Sequence, residues 1–147
     1  MAYTEQLSEK LAVVATIDPV SATANTYYTD AIDMKYWRRV MFVVQVGVMA
    51  STGTLDFSIV EGTTTSPTAA MVPAKGITQL TAASTDDAKQ VIVEVAAEEL
   101  AAGNRYIRGK LVTATAASLV SVVALADVGR YKPENGYDLA SVDEIVT

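Results

Sequence analysis

The 147-residue sequence contains no cysteine and no histidine. Without cysteine there is no disulfide, no thiolate nucleophile and no cysteine-based zinc site. Without histidine the chain lacks the usual general base near neutral pH and the commonest transition-metal ligand, so the usual catalytic triads cannot form. It also has no phosphate-binding glycine loop, no dinucleotide-binding motif and no EF-hand spacing. The sequence therefore gives no positive sign of an enzyme, and we expect no metal or cofactor.

Basic residues and long apolar runs are also scarce. The chain has 11 Lys and Arg against 17 Asp and Glu, which gives a formal net charge of −6 and a sequence pI near 4.5. Because such a chain is repelled by phosphate backbones, we expect no nucleic-acid partner. The apolar runs at 40–46 and 119–126 are too short to span a bilayer, and the first ten residues lack a signal-peptide pattern. We therefore expect no membrane partner and no export.

Aromatic residues make up only 7% of the chain although half of it is hydrophobic, so the apolar content is mainly Ala and Val. Within Thr54–Val60 the alternation is clean, with Leu55, Phe57 and Ile59 on one face, as in a strand with one solvated side. Similar β-branched or alternating patterns predict further strands at 11–17, 37–47, 90–96, 105–114 and 119–126. The pattern predicts an all-β fold, either an antiparallel β-sandwich or a jelly-roll-like barrel.

The segments between these strands predict how the chain is organised. Met49–Gly53 and Thr115–Ser118 are short enough for hairpins, which favours antiparallel sheets. Glu98–Asn104 predicts one helical turn closed by Gly103. The predicted organisation has three parts, which are an extended N-terminal arm (1–26), a sandwich domain (27–133) and an acidic C-terminal tail (134–147).

Two aromatic and acidic clusters suggest a binding role. Asp30 and Asp33 lie beside Tyr27 and Tyr28, and a carboxylate next to an aromatic platform suits a sugar. Tyr36 and Trp37 would extend the platform. Aspartate is also common in turns because its side chain hydrogen-bonds the local backbone, so a purely structural role is the simpler interpretation. The adjacent acids Asp86-Asp87 and Glu98-Glu99 do not converge by sequence alone and are expected on solvated surfaces.

The basic residues are less suited to binding phosphate. Arg38 and Arg39 occupy the strongest predicted strand and should point to opposite faces, so they cannot form a clamp by themselves. We expect one of them to pair with a carboxylate of this chain or of a neighbour. Arg108 and Lys110 share a strand face beside Tyr106, a pattern that can bind single-stranded nucleic acid, but the acidic net charge argues against it.

At Met34–Gly47 (MKYWRRVMFVVQVG) the chain resembles small virion proteins found among the head genes of tailed bacteriophages. The resemblance continues at Gln90–Val95, at Glu99-Leu100, at Arg105–Arg108 and at Gly129–Pro133. It covers roughly residues 27 to 133.

The resemblance implies a head-decoration, or cement, protein without an active site. Such a protein is made in the cytoplasm of the host bacterium and assembles onto the phage head surface. Its implied partners are the major capsid protein and other copies of itself, often as a homotrimer.

The residues predicted to contact these partners lie in the two terminal arms and on the sheet rim. They are Leu7, Leu11, Tyr27, Tyr28, Arg38, Arg39, Tyr131, Asp138, Asp143 and Glu144. Two alternatives remain open at this point. One is a phage-borne sandwich that binds host glycans through its aromatic residues, and the other is a tail-tube or head–tail connector protein.

Overall fold

The computed structural model describes residues 7–129, 141–144 and 146. Strands account for 57% and helices for 8% of the residues, so the predicted all-β fold with antiparallel sheets is confirmed. The strands are β1 (Leu11–Ala22), β2 (Asn25–Tyr28), β3 (Ile32–Asp33), β4 (Trp37–Met49), β5 (Thr54–Gly62), β6 (Ala69–Ala70), β7 (Leu80–Thr81), β8 (Gln90–Ala96), β9 (Tyr106–Ala114) and β10 (Ser118–Gly129). One α-helical turn, α1 (Leu7–Lys10), precedes β1, and 3-10 turns lie at Ala82–Ser84 and Ala97–Glu99.

The strands form two sheets. Sheet A has four strands in the order β1-β10-β4-β8. Sheet B has the order β2-β9-β5-β6, and the short strands β3 and β7 pair with β9 and β5 respectively. Every strand pair is antiparallel. The chain is therefore an antiparallel β-sandwich.

The core lies between the two sheets. Alternate residues of β4, among them Val40, Phe42 and Val44, are fully buried, and so are Leu55 and Ile59 of β5. The rings of Phe42 in sheet A and Phe57 in sheet B are 5.7 Å apart between centroids. These contacts show that the inner faces of the two sheets pack directly on each other, as the period-2 pattern requires.

The predicted hairpins are wrong. The segment Met49–Gly53 joins β4 in sheet A to β5 in sheet B, and Thr115–Ser118 joins β9 in sheet B to β10 in sheet A. In both places the chain crosses from one sheet to the other instead of turning back beside itself. A short connection permits either path, and the strand periodicity is the same for both, so the sequence does not distinguish them. The longer strands pair antiparallel with strands that are far apart in the sequence, whereas β5 also pairs with the nearby β6.

The predicted N-terminal arm is wrong for most of its length. Strand β1 pairs with β10 from Leu11 to Ala22, and β2 pairs with β9 from Asn25 onward. Val14 and Ala15 are 4% and 0% exposed, so β1 belongs to the core. The sequence analysis predicted a strand at 11–17 but placed it in an arm, because its partner strand β10 lies near the other end of the sequence. Most of the predicted tail, 134–147, lies outside the described residues.

The predicted helical turn near residue 100 is shorter than expected. It spans Ala97–Glu99 and ends at Leu100, so Gly103 does not close it. Gly103 instead has a φ of +89° in a separate turn, where the Asn104 N–H donates to the Ala101 carbonyl at 2.9 Å. A glycine at this position avoids the steric cost that a side chain would meet at positive φ.

Substitution of Ala15 by aspartate tests whether β1 is a core strand. Ala15→Asp would bury an unpaired charge, so we expect the free energy of unfolding to fall by about 3 kcal/mol or more. The matched control is Ser21→Asp, because Ser21 is an exposed residue of the same strand and should tolerate the charge. Urea unfolding of both variants measures the difference. Equal stability of the two variants would mean that β1 is a detachable arm after all.

Candidate interaction surfaces

The outer surface of sheet A carries apolar side chains on all four strands. The strand register places Thr16, Val123, Val43 and Ile92 side by side in one row. The next row contains Val13, Leu125, Met41 and Glu94. We call the six hydrophobic residues of these rows the apolar face; they are Val13, Met41, Val43, Ile92, Val123 and Leu125. Ile92 is 60% exposed, and the other five are half-buried.

An apolar outer face is unusual for an antiparallel sheet. One face of such a sheet normally packs on the core, while the other is solvated and polar. Here the inward residues of β4 and β10 are buried, yet in the middle of these strands the outward residues Met41, Val43, Val123 and Leu125 are also hydrophobic. Contiguous apolar patches of this kind mark surfaces that bind a protein or a membrane.

A depression of about 220 Å³ lies at one end of the apolar face. It is lined by Leu11, Arg39, Met41, Glu94, Leu125 and Asp127. The Oδ1 atom of Asp127 is buried and has no hydrogen-bond partner within the described part of the chain. Arg39 is the direct cross-strand neighbour of Asp127, but its guanidinium donates to Glu94 Oε1 at 2.8 Å instead. The expectation that one of the two arginines pairs with a carboxylate is therefore confirmed for Arg39.

Both edges of sheet A are obstructed against a further strand. On β8, Lys75 Nζ donates to the Glu94 carbonyl at 2.6 Å and to Glu99 Oε2 at 2.5 Å. Glu99 Oε2 also accepts the Ala96 N–H at 2.7 Å, and these two hydrogen bonds hold the pKa of Glu99 below its ordinary value. The other edge, β1, has two irregularities in its register and contains Pro19. Charged groups, bulges and prolines at an edge discourage strand pairing, so the face of sheet A is more accessible to a partner than its edges.

The outer surface of sheet B is polar by comparison. The Arg108 guanidinium lies 4.5 Å from the centroid of the Tyr28 ring, and its Nε donates to the Thr29 carbonyl at 2.9 Å. Lys110 is the cross-strand neighbour of both Tyr28 and Ser58. The two outer surfaces of the sandwich therefore differ in character, one apolar and one polar and basic.

An ion pair closes one end of sheet B. Arg105 Nε donates to Asp33 Oδ1 at 2.7 Å, a second hydrogen bond joins Arg105 Nη2 to Asp33 Oδ2, and the Lys35 N–H donates to Asp33 at 3.0 Å. Partial burial acts to raise the pKa of Asp33, but the hydrogen bonds from Arg105 and Lys35 outweigh it and lower the pKa. Asp33 in turn raises the pKa of Arg105. Asp33 thus serves to fasten β3 to the start of β9.

The aromatic residues considered for glycan binding do not form one exposed platform. Trp37 is only 1% exposed and belongs to the core. Tyr27 and Tyr36 are partly buried and pack against the core. Tyr28 is half-buried, with the Arg108 guanidinium over its ring. Stacking on a sugar needs an accessible ring face, which this arrangement does not offer on a common surface.

The acidic pairs have structural roles that the sequence did not indicate. Asp87 Oδ1 accepts the Met49 N–H at 2.9 Å, and Asp86 Oδ2 accepts the Thr81 N–H at 2.9 Å. These carboxylates tie the segment before β8 to β4 and β7. Glu98 is exposed, while its neighbour Glu99 belongs to the edge contacts described above.

The other predicted contact residues are spread over the molecule. Leu7 is 74% exposed in α1, and Arg38, Asp143 and Glu144 are also exposed. Leu11 is half-buried and borders the depression beside Asp127. Tyr131 and Asp138 lie outside the described residues. Of the described members of this set, Leu11 and Arg39 line the same depression.

Sequence reasoning missed the apolar face, although a signal for it was present. The runs Val40–Val46 and Leu119–Ala126 are almost unbroken in hydrophobicity instead of alternating with polar residues. Such runs are typical of strands that are covered on both sides. The role of Asp127 had no comparable signal, because it depends on which carboxylate Arg39 contacts.

A scan against protein-family models finds no match, and a search of curated proteins finds no similar sequence. Within residues 7–129, 141–144 and 146, no helix is long and apolar enough to cross a membrane. The same part of the chain contains no group of three or more acidic side chains placed to hold a metal ion. Function is therefore inferred from the surfaces of the sandwich.

Removal of the Asp33 carboxylate should change how stability depends on pH. Because the folded-state pKa of Asp33 is lowered, its contribution to stability is present above its unfolded pKa of about 3.9 and is lost as the pH falls through the folded value. We expect Asp33→Asn to be less stable than the wild type at pH 7, with the difference shrinking toward pH 3. Urea midpoints at pH 7, 4 and 3 measure this change.

The control for this titration is Asp30→Asn, which removes an exposed carboxylate three residues earlier. It should be as stable as the wild type at pH 7, because the carboxylate that it removes is exposed. A constant difference between Asp33→Asn and the wild type would contradict the role assigned to the ion pair.

Proposed function

We propose that this chain is a decoration, or cement, protein that binds the outer surface of a tailed-phage capsid and stabilises it by bridging neighbouring capsomers. The observation that carries the proposal is the apolar face, which spans all four strands of sheet A. A sandwich with a complete core of its own gains nothing in solution from such a face. Burial against a partner would remove its hydrophobic area from water.

The geometry of the sandwich suggests how it would sit on a shell. Sheet A would contact the capsid, and the polar surface of sheet B, with Arg108, Lys110 and Ser58, would face the solvent. The obstructed edges of sheet A favour contact through the face over strand addition. The apolar outer surface of sheet A would then be buried against the particle, and the polar outer surface of sheet B would be in water.

Stabilisation of a capsid by such a protein needs only modest affinity per copy. Each buried square ångström of apolar surface contributes about 25 cal/mol, and part of that gain is offset by the entropy lost on binding. A repeating lattice multiplies the effect, because copies that touch two capsomers must be detached before the capsomers separate. In this proposal the partners are the major capsid protein and further copies of this chain, arranged as trimers at local threefold positions.

The sequence resemblance to phage head proteins supports the same function. It includes Met34–Gly47, which is largely β4, and Gln90–Val95, which is most of β8. Both segments contribute side chains to the apolar face. The glycan-binding alternative has no comparable support, because its aromatic residues are buried, packed against the core or covered by an arginine.

A charged substitution in the centre of the apolar face tests this function. In Val43→Glu the new carboxylate points outward, so we expect the free energy of unfolding to change by about 1 kcal/mol or less. Binding to purified phage heads should weaken at least tenfold, which corresponds to about 1.4 kcal/mol. The probe is heads of the phage that encodes the chain, stripped of the native protein, and the measurement is co-sedimentation.

Ser58→Glu is the matched control, because it adds the same charge to the outer surface of sheet B. It should bind heads as the wild type does. Unweakened binding by Val43→Glu would show that another surface is used. Association of the wild type with tails or connectors instead of heads would favour the tail-tube or connector alternative.

A further inference from the structure

We infer that the depression beside Asp127 receives a lysine or arginine side chain of the protein that covers the apolar face. This inference rests on the proposed function, since the partner is taken to be the capsid subunit. The contact between that cation and Asp127 would fix the position of the capsid subunit on sheet A.

The starting point is the unpaired oxygen of Asp127. Oδ1 is buried and accepts no hydrogen bond from the residues that the structure describes. A buried carboxylate oxygen without a donor is unfavourable, because it loses its hydration without compensation. The surroundings are largely apolar, with Leu11, Met41 and Leu125 among the lining residues. An aspartate at this place therefore indicates a donor that is supplied from elsewhere.

No cation within residues 7–129, 141–144 and 146 supplies that donor. Arg39, the nearest by register, is held by Glu94 at 2.8 Å. The other ion pairs found among the described residues join Lys75 to Glu99, Lys89 to Asp86 and Arg105 to Asp33. None of the four involves Asp127, and on this ground we assign the donor to a partner.

The shape and charge of the depression favour a long cationic side chain. Its volume is about 220 Å³, and its apolar walls suit the methylene stem of a lysine or arginine while the charged head meets the carboxylate. The lining includes two carboxylates, Asp127 and Glu94, but only one cation, Arg39. A second copy of this chain fits less well, because each copy carries a net charge of −6 and an acidic depression of its own.

Insertion of such a side chain would set the register of the partner. The depression adjoins the row that contains Val13, Leu125 and Met41. A partner's cation bound at Asp127 would therefore align the hydrophobic surface next to it, on the partner, with the apolar face of this chain. Charge complementarity of this kind mainly confers specificity, while the apolar contacts contribute most of the burial.

Substitution of Asp127 separates this role from a structural one. We expect Asp127→Leu to leave the unfolding midpoint of the free chain unchanged or higher, because it removes an unpaired oxygen. Its binding to purified heads should fall at least tenfold at low salt. Asp127→Asn should show the same pattern with a smaller loss. For the wild type, binding should weaken as NaCl increases, and both variants should show a shallower salt dependence.

Asp18→Asn is the control, since it removes one negative charge from an exposed site on β1. It should bind and unfold as the wild type does. A lower unfolding midpoint in Asp127→Leu would mean that Asp127 has a structural partner, and would overturn the inference. Weaker binding with an unchanged salt dependence would overturn it too, because the contact would then be apolar.

The experiment also distinguishes the inference from the function on which it rests. If the Asp127 variants bind heads as the wild type does while Val43→Glu does not, the cation site is refuted and the apolar face remains the binding surface. If the wild type fails to bind heads at all, the proposed function and the inference both fail.

Discussion

Strand β10 lies between β1 and β4, and its pairing with both determines the two faces of sheet A. Val122, Ala124 and Ala126 point into the core, whereas Val123 and Leu125 point outward. Since side chains alternate with a period of two, a slip of one residue would exchange these two sets. The same register therefore fixes the packing of the sandwich and the composition of the surface proposed to bind the capsid. The core packing and the apolar face thus both depend on β10, which pairs with β1, the first strand of the fold.

The outer surfaces of the two sheets differ in polarity. Sheet B ends in an ion pair and carries an arginine stacked on a tyrosine, so its outer surface is suited to water. Sheet A keeps hydrophobic side chains outside, which is a liability for a free protein. The lysine and glutamate at the edge of β8 and the bulges of β1 limit that liability by obstructing the edges. The outer face of sheet A remains accessible. A sheet face with hydrophobic side chains is suited to docking on a broad, repeating surface.

Local pattern predicted the strands well, and long-range pairing could not be predicted. The predicted strand at 90–96 coincides with β8, and the alternation in Thr54–Val60 correctly placed Leu55 and Phe57 in the core. The sheet to which a strand belongs depends on pairing between distant segments, such as Leu11 with Asp127 and Arg39 with Ala96, so both hairpins and the arm were wrong. The candidate site was largely missed for the same reason. Among the described residues Asp127 Oδ1 has no donor, and its cross-strand neighbour Arg39 contacts Glu94 of a third strand instead, an arrangement that local pattern does not show.

The central claim is that the outer face of sheet A is the surface in contact with a phage shell. The most direct measurement is an electron-microscopy reconstruction of heads bearing this chain, at a resolution that distinguishes the two sheets. The account predicts density for the sandwich at regular positions outside the lattice, with β4 and β10 toward the capsid and Arg108 toward solvent. Density that places sheet B against the shell, or that is confined to the portal or tail, would contradict it.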